Sequence, residues 1–200
     1  MNRYLRSVSG VDTATLHLMD TKTATGRDPN FPCPLPVPEA IQRDLIVLSL
    51  NFISFDDALH TGQLVVHRRI AANVRRIFES LLWHRFPIGS MVPIVAYGWD
   101  DEHSMKANNT SGFNYRYIAG TDRLSSHAFG LAIDINPWQN PCRSHGIWQP
   151  TGACYDPLAP GTITRDSVVA KIFREYGFEC GVDWQEPFDP QHFQFPLAVE

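Results

Sequence analysis

The stretch from Ser125 to Pro137, SSHAFGLAIDINP, constrains the chain most because it combines potential metal ligands with a flexible glycine. It carries His127 and Asp134, seven positions apart. Residues seven apart cannot share one face of a strand by simple alternation, so a bend must lie between them. Gly130 is placed to allow that bend, since glycine adopts backbone conformations that other residues avoid. The segment is therefore predicted to be a turn that leads into a strand.

A second short stretch near the C-terminal end, FDPQHF, adds Asp189 and His192. Two histidines and one carboxylate form a ligand set that zinc hydrolases use, with a fourth position kept for water. We therefore predict that His127, Asp134 and His192 bind one catalytic zinc ion. If Pro190 forces a turn, Asp189 can face the site without binding the metal. It would then act as general base in the attack and as general acid toward the leaving amine.

Length and composition predict one domain, or one domain with an arm. Of the 200 residues, 44% are hydrophobic and 19% are charged, which is ordinary for a globular protein. The net charge of -4 argues against a nucleic-acid partner. No run of eighteen apolar residues occurs, so no membrane span is predicted. We expect a monomer.

The first twenty residues lack the continuous apolar segment of a signal peptide. Two explanations stay open: the protein remains inside the cell until it is released, or a leader has been removed. Residues 1–40 are predicted to be an extended arm, because alternating prolines from Phe31 to Pro38 exclude a helix. Residues 41–200 are predicted to form the catalytic domain.

The order of apolar patterns predicts an α+β fold, a single domain with a mainly antiparallel sheet and helices packed on it. Apolar residues at helical spacing predict a helix over 67–83, and Thr164 is expected to cap a second helix that ends at Gly177. The predicted strands are 45–55, 64–66, 91–97, 113–118, 131–135, 178–183 and 192–195. The predicted loops are 56–62, 100–112 and 138–160.

The cysteines argue against a thiolate zinc site, because none of the four lies in a CxxC pair. Cys142 and Cys154 flank a short loop. They form a disulfide if the protein works outside the cytosol, and stay free thiols otherwise. The disulfide is slightly favoured.

The flanks of the histidine motif carry a specific resemblance. The pattern SxHxxGxAxD followed by INP, with a downstream DxxHF, resembles the VanY-like zinc D-alanyl-D-alanine carboxypeptidase and L-alanyl-D-glutamate endopeptidase family, which cuts peptidoglycan stem peptides. The resemblance covers roughly residues 45–195. It implies that His127, Asp134 and His192 are the zinc ligands and that Asp189 is the catalytic acid and base.

The resemblance also assigns two residues to the substrate. Arg116, in the FNYR run, matches an arginine thought to hold a substrate carboxylate or the developing oxyanion. A guanidinium suits that task because it grips a carboxylate with two parallel hydrogen bonds. A structural ion pair is the alternative for Arg116. Ser125 matches the family serine, which is expected to touch substrate or to support the ligand turn.

The chain departs from the family pattern at two places. The family often has Trp-Gly-Gly-Asp-Trp before the last motif, where this chain has Cys-Gly-Val-Asp-Trp over 180–184. The usual His-Phe-Glu ending is His192, Phe193 and Gln194 here. Cys180 and Val182 are expected to alter the pocket wall. Trp184 either lines that wall or, as the favoured interpretation, is buried in the core.

The leading hypothesis is a zinc metallopeptidase on peptidoglycan stem peptides, of the D-alanyl-D-alanine carboxypeptidase type. The alternatives are an L-alanyl-D-glutamate endopeptidase, as in lytic enzymes of phages, and a zinc-containing binding module without catalysis. The presence of Asp189 and of all three ligands argues against the binding module. An enzyme of this kind acts at the cell envelope, in the periplasm or outside the cell.

Overall fold

A computed structural model describes residues 18–196 of the chain. The helices are α1 (Thr21–Ala24), α2 (Glu39–Asp44), α3 (Ala71–Trp83), α4 (Asp101–Lys106) and α5 (Val168–Glu175). The strands are β1 (Leu45–Ile53), β2 (Leu59–His67), β3 (Ser90–Met91), β4 (Asn109–Thr110), β5 (Ala132–Asp134), β6 (Cys142–Ser144), β7 (Ile147–Gln149), β8 (Glu179–Cys180) and β9 (His192–Gln194). Short 3-10 helices cover Arg68–Ile70, Ile94–Tyr97, Ser126–Phe129 and Gly181–Asp183.

The predicted α+β class is confirmed, since helices accompany strand pairs that are antiparallel except for β3 with β4. The strands form several small sheets within one domain, and none closes into a barrel. Across residues 18–196, no helix has the length and apolar content needed to cross a membrane.

The largest part of the scaffold is the β1–β2 hairpin with α3 packed on it. The strands pair antiparallel over their whole length, from Leu45 opposite His67 to Ile53 opposite Leu59. Helix α3 buries the apolar stripe that the sequence predicts, including Val74, Ile77 and Phe78. The hairpin is longer than predicted, because β2 begins at Leu59 rather than Leu64.

Helix α5 closes the core beneath the last strand. Ser167 caps its first turn, so the predicted cap at Thr164 is wrong, while Gly177 lies just beyond its end with a positive φ of 82°. Phe173 of α5 stacks on Phe193 of β9, with ring centroids 3.8 Å apart. This contact fixes β9, because side chains alternate along a strand and Phe193 points into the core.

The segment from residue 91 to residue 112 differs from the prediction. The expected strand over 91–97 is wrong, since only Ser90–Met91 form β3 and the chain then turns through Pro93 into a 3-10 helix. The expected loop over 100–112 contains α4. Its first turn is capped by the side chain of Asp100, which accepts a hydrogen bond from the backbone of His103.

Two further predictions around the site are wrong. Residues 113–118 form no strand, and their one bridge joins Tyr117 to Leu124. The expected loop over 138–160 contains the β6–β7 hairpin, whose two turn residues, His145 and Gly146, both have positive φ. That backbone geometry suits a tight hairpin turn.

The described part of the arm packs on the domain. Phe31–Pro38 form neither helix nor strand, as predicted, but α1 interrupts the irregular region. Ala24 of α1 is fully buried in an apolar cluster with Leu45, Val65 and Phe113. The prediction about a signal peptide concerns residues that mostly lie outside 18–196, and the domain boundary at residue 40 stays a prediction.

The expected disulfide between Cys142 and Cys154 is wrong. All four cysteines are free thiols. Cys142 belongs to β6, whereas Cys154 is exposed in the loop after β7, so the short sequence separation does not translate into a bridge.

Candidate metal centre

The structure brings His127, Asp134 and His192 together as one buried cluster. One ligand atom from each lies within 4.8 Å of the others. Nε2 of His127 is 3.2 Å from Nδ1 of His192 and 3.1 Å from Oδ2 of Asp134. Nδ1 of His192 is 2.9 Å from Oδ1 of Asp134. Within residues 18–196 no other group of three such residues forms a comparable cluster.

Strand pairing explains why Asp134 and His192 meet. They are direct partners in the antiparallel pair of β5 and β9, so their side chains lie next to each other on one face. The neighbouring pair, Ile133 and Phe193, points to the opposite face and is fully buried in the core. A hydrophobic contact on one face thereby fixes a polar contact on the other.

The bend before β5 places His127. Ser125 precedes the 3-10 helix, and its hydroxyl accepts a hydrogen bond from the backbone N–H of His127 at 3.3 Å. Gly130 ends the helix with a φ of 66°, which confirms the predicted glycine bend. A Cβ at Gly130 would lie 2.7 Å from the backbone nitrogen of His67, so no larger residue fits there without a shift.

The second nitrogen of each imidazole has its own partner. Nδ1 of His127 lies 2.6 Å from the carbonyl oxygen of Gly112, and Nε2 of His192 lies 3.3 Å from Oε1 of Gln194. With a metal ion bound at the cluster, each ring would donate its remaining N–H outward to this partner. Metal-binding histidines are usually held this way, because the outer hydrogen bond fixes the tautomer and the ring orientation.

The cluster fits a tetrahedral metal ion by distance and by donor chemistry. Bonds of about 2.0–2.1 Å from zinc to nitrogen or oxygen place neighbouring tetrahedral donors about 3.3 Å apart. The three separations here are 3.2, 3.1 and 2.9 Å. Imidazole nitrogens with one carboxylate suit zinc, although other divalent ions use the same donors.

The electrostatics of the cluster favour an ionised Asp134. Burial raises the pKa of Asp134, but the charges and hydrogen bonds of the two imidazoles outweigh burial and hold it far below its usual range. Burial lowers the pKa of His192, yet its hydrogen bond to Asp134 and the nearby carboxylate charges raise it to about 9 in the metal-free protein. The site thus attracts positive charge.

Asp189 stands beside this cluster in a different environment. The backbone N–H of His192 donates to the carbonyl of Asp189, which closes the turn predicted at Pro190. Asp189 is half-buried, and its Oδ1 is buried without a hydrogen-bond partner among the described residues. Burial, opposed by the charge of His192 and reinforced by that of Asp134, raises the pKa of Asp189 to about 6.

Residues that the sequence did not single out hold Asp189 in place. Backbone hydrogen bonds join Phe188 to Arg143 of the β6–β7 hairpin in both directions. Asp189 N–H donates to the carbonyl of Gly181, and a Cβ at Gly181 would lie 2.2 Å from the Asp189 carbonyl oxygen. The thiol of Cys142 lies near the carboxylate of Asp189. Burial and the charges of Asp189 and Asp134 raise the pKa of this thiol, so it stays protonated.

Arg116 lies in the extended segment next to the His127 turn. Its backbone carbonyl accepts from the N–H of Ser125, and one guanidinium nitrogen is 3.0 Å from Oδ2 of Asp101. Asn114 donates to the other oxygen of Asp101. The Nε of Arg116 is buried without a hydrogen-bond partner among the described residues. The ion-pair alternative therefore exists in the fold, and Asp101 orients the guanidinium while leaving donors unused.

The three residues discussed as possible pocket-wall residues lie in positions opposite to those predicted. Cys180 and Val182 are buried members of the main core, so the expectation that they alter the pocket wall is wrong. Trp184 is half-buried rather than a core residue, and its ring packs against His192 with centroids 5.4 Å apart. Of the departures from the family pattern, Gln194 is the one that contacts a residue of the cluster.

Comparison with known proteins gives one match. Residues 119–195 match the family model described as D-alanyl-D-alanine carboxypeptidase. The matched segment contains the His127, Asp134 and His192 cluster together with Asp189, whereas Arg116 lies just before it. No curated protein and no solved structure matches the chain significantly. The match supports a peptidoglycan-related metallopeptidase in general.

Proposed function

We propose that the protein is a zinc metallopeptidase that hydrolyses peptidoglycan stem peptides, and the match of residues 119–195 to the D-alanyl-D-alanine carboxypeptidase family model supports this proposal. The D-alanyl-D-alanine carboxypeptidase type is the favoured form. The observation that carries the proposal is the buried cluster of His127, Asp134 and His192 beside a carboxylate with a raised pKa. The enzyme would act at the cell envelope, in the periplasm or outside the cell.

His127, Asp134 and His192 would hold the zinc ion through Nε2, a carboxylate oxygen and Nδ1. When bound, zinc polarises a carbonyl group and lowers the pKa of water. The protein's part is to orient both imidazoles. The acceptors at Gly112 and Gln194 do so by accepting hydrogen bonds from the outer ring nitrogens.

Asp189 is proposed as the proton carrier. A carboxyl group with a pKa near 6 accepts a proton from attacking water at neutral pH and returns it readily to the leaving amine. Its Oδ1 has no other hydrogen-bond partner among residues 18–196, so the oxygen is available for this transfer. Asp134 cannot take that part, because two imidazoles keep it ionised and engaged.

Arg116 is proposed to bind the substrate carboxylate, which a carboxypeptidase must recognise. The pairing with Asp101 leaves Nε and part of the guanidinium edge unused, and a carboxylate can accept from such an edge. Ser125 is proposed as a substrate contact in addition to its hydrogen bond from His127. If the arginine instead stabilises a developing oxyanion, the same site suits an L-alanyl-D-glutamate endopeptidase.

The test is mass spectrometry of defined stem peptides after incubation with the zinc-loaded protein, with a chelator-treated sample in parallel. Chelator-sensitive loss of one terminal D-alanine is the expected result. Cleavage between L-alanine and D-glutamate would replace the carboxypeptidase assignment with the endopeptidase. A zinc-bound protein that cleaves no stem peptide would favour the non-catalytic binding module.

Replacement of Asp189 by alanine sharpens this test. Because Asp189 moves protons and does not hold the metal in the proposal, Asp189→Ala should keep stoichiometric zinc and lose at least 100-fold in rate. The matched control is Asp122→Ala, which removes an exposed loop carboxylate and should leave the rate unchanged. Full activity in Asp189→Ala would remove Asp189 from the mechanism.

A further inference from the structure

A series of side-chain hydrogen bonds connects Glu179, at the surface of the last sheet, to His192. Glu179 of β8 and Gln194 of β9 are direct partners across the antiparallel pair. Nε2 of Gln194 donates to Oε2 of Glu179 at 2.7 Å. Oε1 of Gln194 accepts from the hydroxyl of Ser126 at 2.9 Å and lies 3.3 Å from Nε2 of His192.

The partners in these hydrogen bonds fix the orientation of the Gln194 amide. An ionised carboxylate only accepts hydrogen bonds, so Glu179 must face the NH₂ end of the amide. The carbonyl end then faces Ser126 and His192. An amide oxygen has two lone pairs, so it satisfies both neighbours at once.

The amide in turn fixes the tautomer of His192. Its Oε1 can accept but not donate, so it favours a proton on Nε2. Asp134 accepts at Nδ1 in the same way, but a metal ion that takes the Nδ1 lone pair leaves Nε2 as the protonated nitrogen. The lone pair is then on Nδ1, the nitrogen that faces His127 and Asp134. A metal ion binds that lone pair. Glu179, by orienting Gln194, therefore influences which nitrogen of His192 is free to bind the metal.

We propose that Gln194, oriented by Glu179 and shared with Ser126, is the positioning residue that selects the metal-binding tautomer of His192. The inference rests on the proposed metal site but not on the identity of the substrate. Ser126 adds a second consequence, because it precedes His127 directly. One amide therefore ties the turn that carries His127 to the strand that carries His192.

The experiment compares zinc affinity, measured by competition with a coloured chelator, in folded wild-type and variant proteins. Gln194→Met keeps the side-chain length but removes the acceptor, and we expect its zinc affinity to fall about 10–100-fold. The double variant Gln194→Glu/Glu179→Gln restores an acceptor at position 194 opposite a side-chain donor at position 179, and should recover most of the loss. Gln185→Met makes the same chemical change at an exposed position and should bind zinc like the wild type.

A spectroscopic readout separates tautomer selection from simple packing. Long-range proton–nitrogen NMR of the zinc-loaded wild type should show His192 protonated on Nε2 and bound through Nδ1. In Gln194→Met the Nε2 proton should exchange faster with water, because its acceptor is gone. A wild-type His192 bound through Nε2, or a folded Gln194→Met with wild-type affinity, would overturn the inference.

The same measurements keep this inference apart from the peptidase proposal. A wild type that binds zinc but cuts no peptide contradicts the peptidase proposal alone, and the affinity comparison still applies. A wild type that takes up no zinc overturns both. Loss of affinity in Gln194→Met with recovery in Gln194→Glu/Glu179→Gln supports the positioning role whatever the substrate is.

Discussion

His127 and His192 present one nitrogen each to the same buried centre, but the fold supports them by different means. His127 is held by a backbone carbonyl, that of Gly112, at 2.6 Å, on a turn fixed by Ser125 and Gly130. His192 is held by the side-chain amide of Gln194 at 3.3 Å, which itself depends on Glu179. The support of His127 is a backbone group, whereas the support of His192 consists of side chains that a mutation can replace.

This difference separates what the fold determines from what single substitutions can tune. A carbonyl cannot be removed by a side-chain mutation, so the orientation of His127 changes only if the backbone moves. The partner of His192 can change its charge or hydrogen-bonding capacity without moving the strand. The peptidases that this chain resembles usually have a glutamate where it has Gln194, and that position supports His192 rather than His127.

The largest effect should come from removing either imidazole. His127→Ala and His192→Ala each leave two of three ligands, so we expect both proteins to lose stoichiometric zinc and hydrolytic activity. Metal analysis of the purified proteins measures this directly. His103→Ala, at an exposed position on α4, is the matched control. Retention of one zinc per chain in either ligand variant would show that the ligand set is wrong.

Backbone support can be tested at two glycines that serve different residues. In Gly112→Ala the new Cβ would lie 2.3 Å from the carbonyl oxygen of Val65, so the segment beneath His127 must shift. We expect this variant to lose about 1–3 kcal/mol of unfolding free energy and to bind zinc more weakly. Denaturant unfolding and chelator competition measure the two effects.

Gly181→Ala provides the contrast, because its Cβ would press on the carbonyl of Asp189 instead. We expect this variant to keep its zinc affinity and to lose activity, since the displaced residue moves protons. If both glycine variants change zinc affinity equally, the metal ligands and the proton carrier are not supported independently.

Long elements were predictable from the sequence, because their apolar residues repeat over several turns or strand positions. Helix α3 and strand β1 follow such patterns, and both bury the expected faces. The short apolar run around Ile94 and Val95 has no such period and is buried as a 3-10 helix. Two local patterns were missed: Asp100 with acidic residues after it is typical of a helix start, and His145–Gly146 is typical of a tight hairpin turn.

The candidate site was predictable to a similar degree. The motif residues come together because sequence patterns directly specify ligand type and the glycine bend. The supporting residues depend on contacts between distant segments. Gly112 contacts His127 through its backbone carbonyl, and Asp101 of α4 contacts Arg116, which lies in an extended segment. The departure at Gln194 was visible in the sequence, but only the strand register places it against Glu179.

The smallest expected effect concerns two carboxylates of one site whose pKa values move in opposite directions. Two imidazoles keep the pKa of Asp134 far below its usual range, whereas burial raises that of Asp189 to about 6. Such a divergence suits the two proposed tasks: one carboxylate stays charged to hold the metal, and the other exchanges protons near neutrality. The pH dependence of the enzyme should therefore follow Asp189.

In the proposed mechanism Asp189 accepts a proton as a carboxylate, so the rate should fall as the pH drops through the pKa of this group. In the metal-free protein that value is about 6, and a bound cation favours the carboxylate, so the midpoint of kcat/KM should lie at about 6 or lower.

The free energy of unfolding should change with pH in the opposite direction to the rate. A raised folded-state pKa means that stability is lost as the pH rises through about 6, so metal-free Asp189→Asn should gain stability over wild type at pH 8 but not at pH 4. Rate profiles and denaturant unfolding measure the two. A rate that rises on acidification, or an Asp189→Asn that gains nothing at pH 8, would place the titrating group elsewhere.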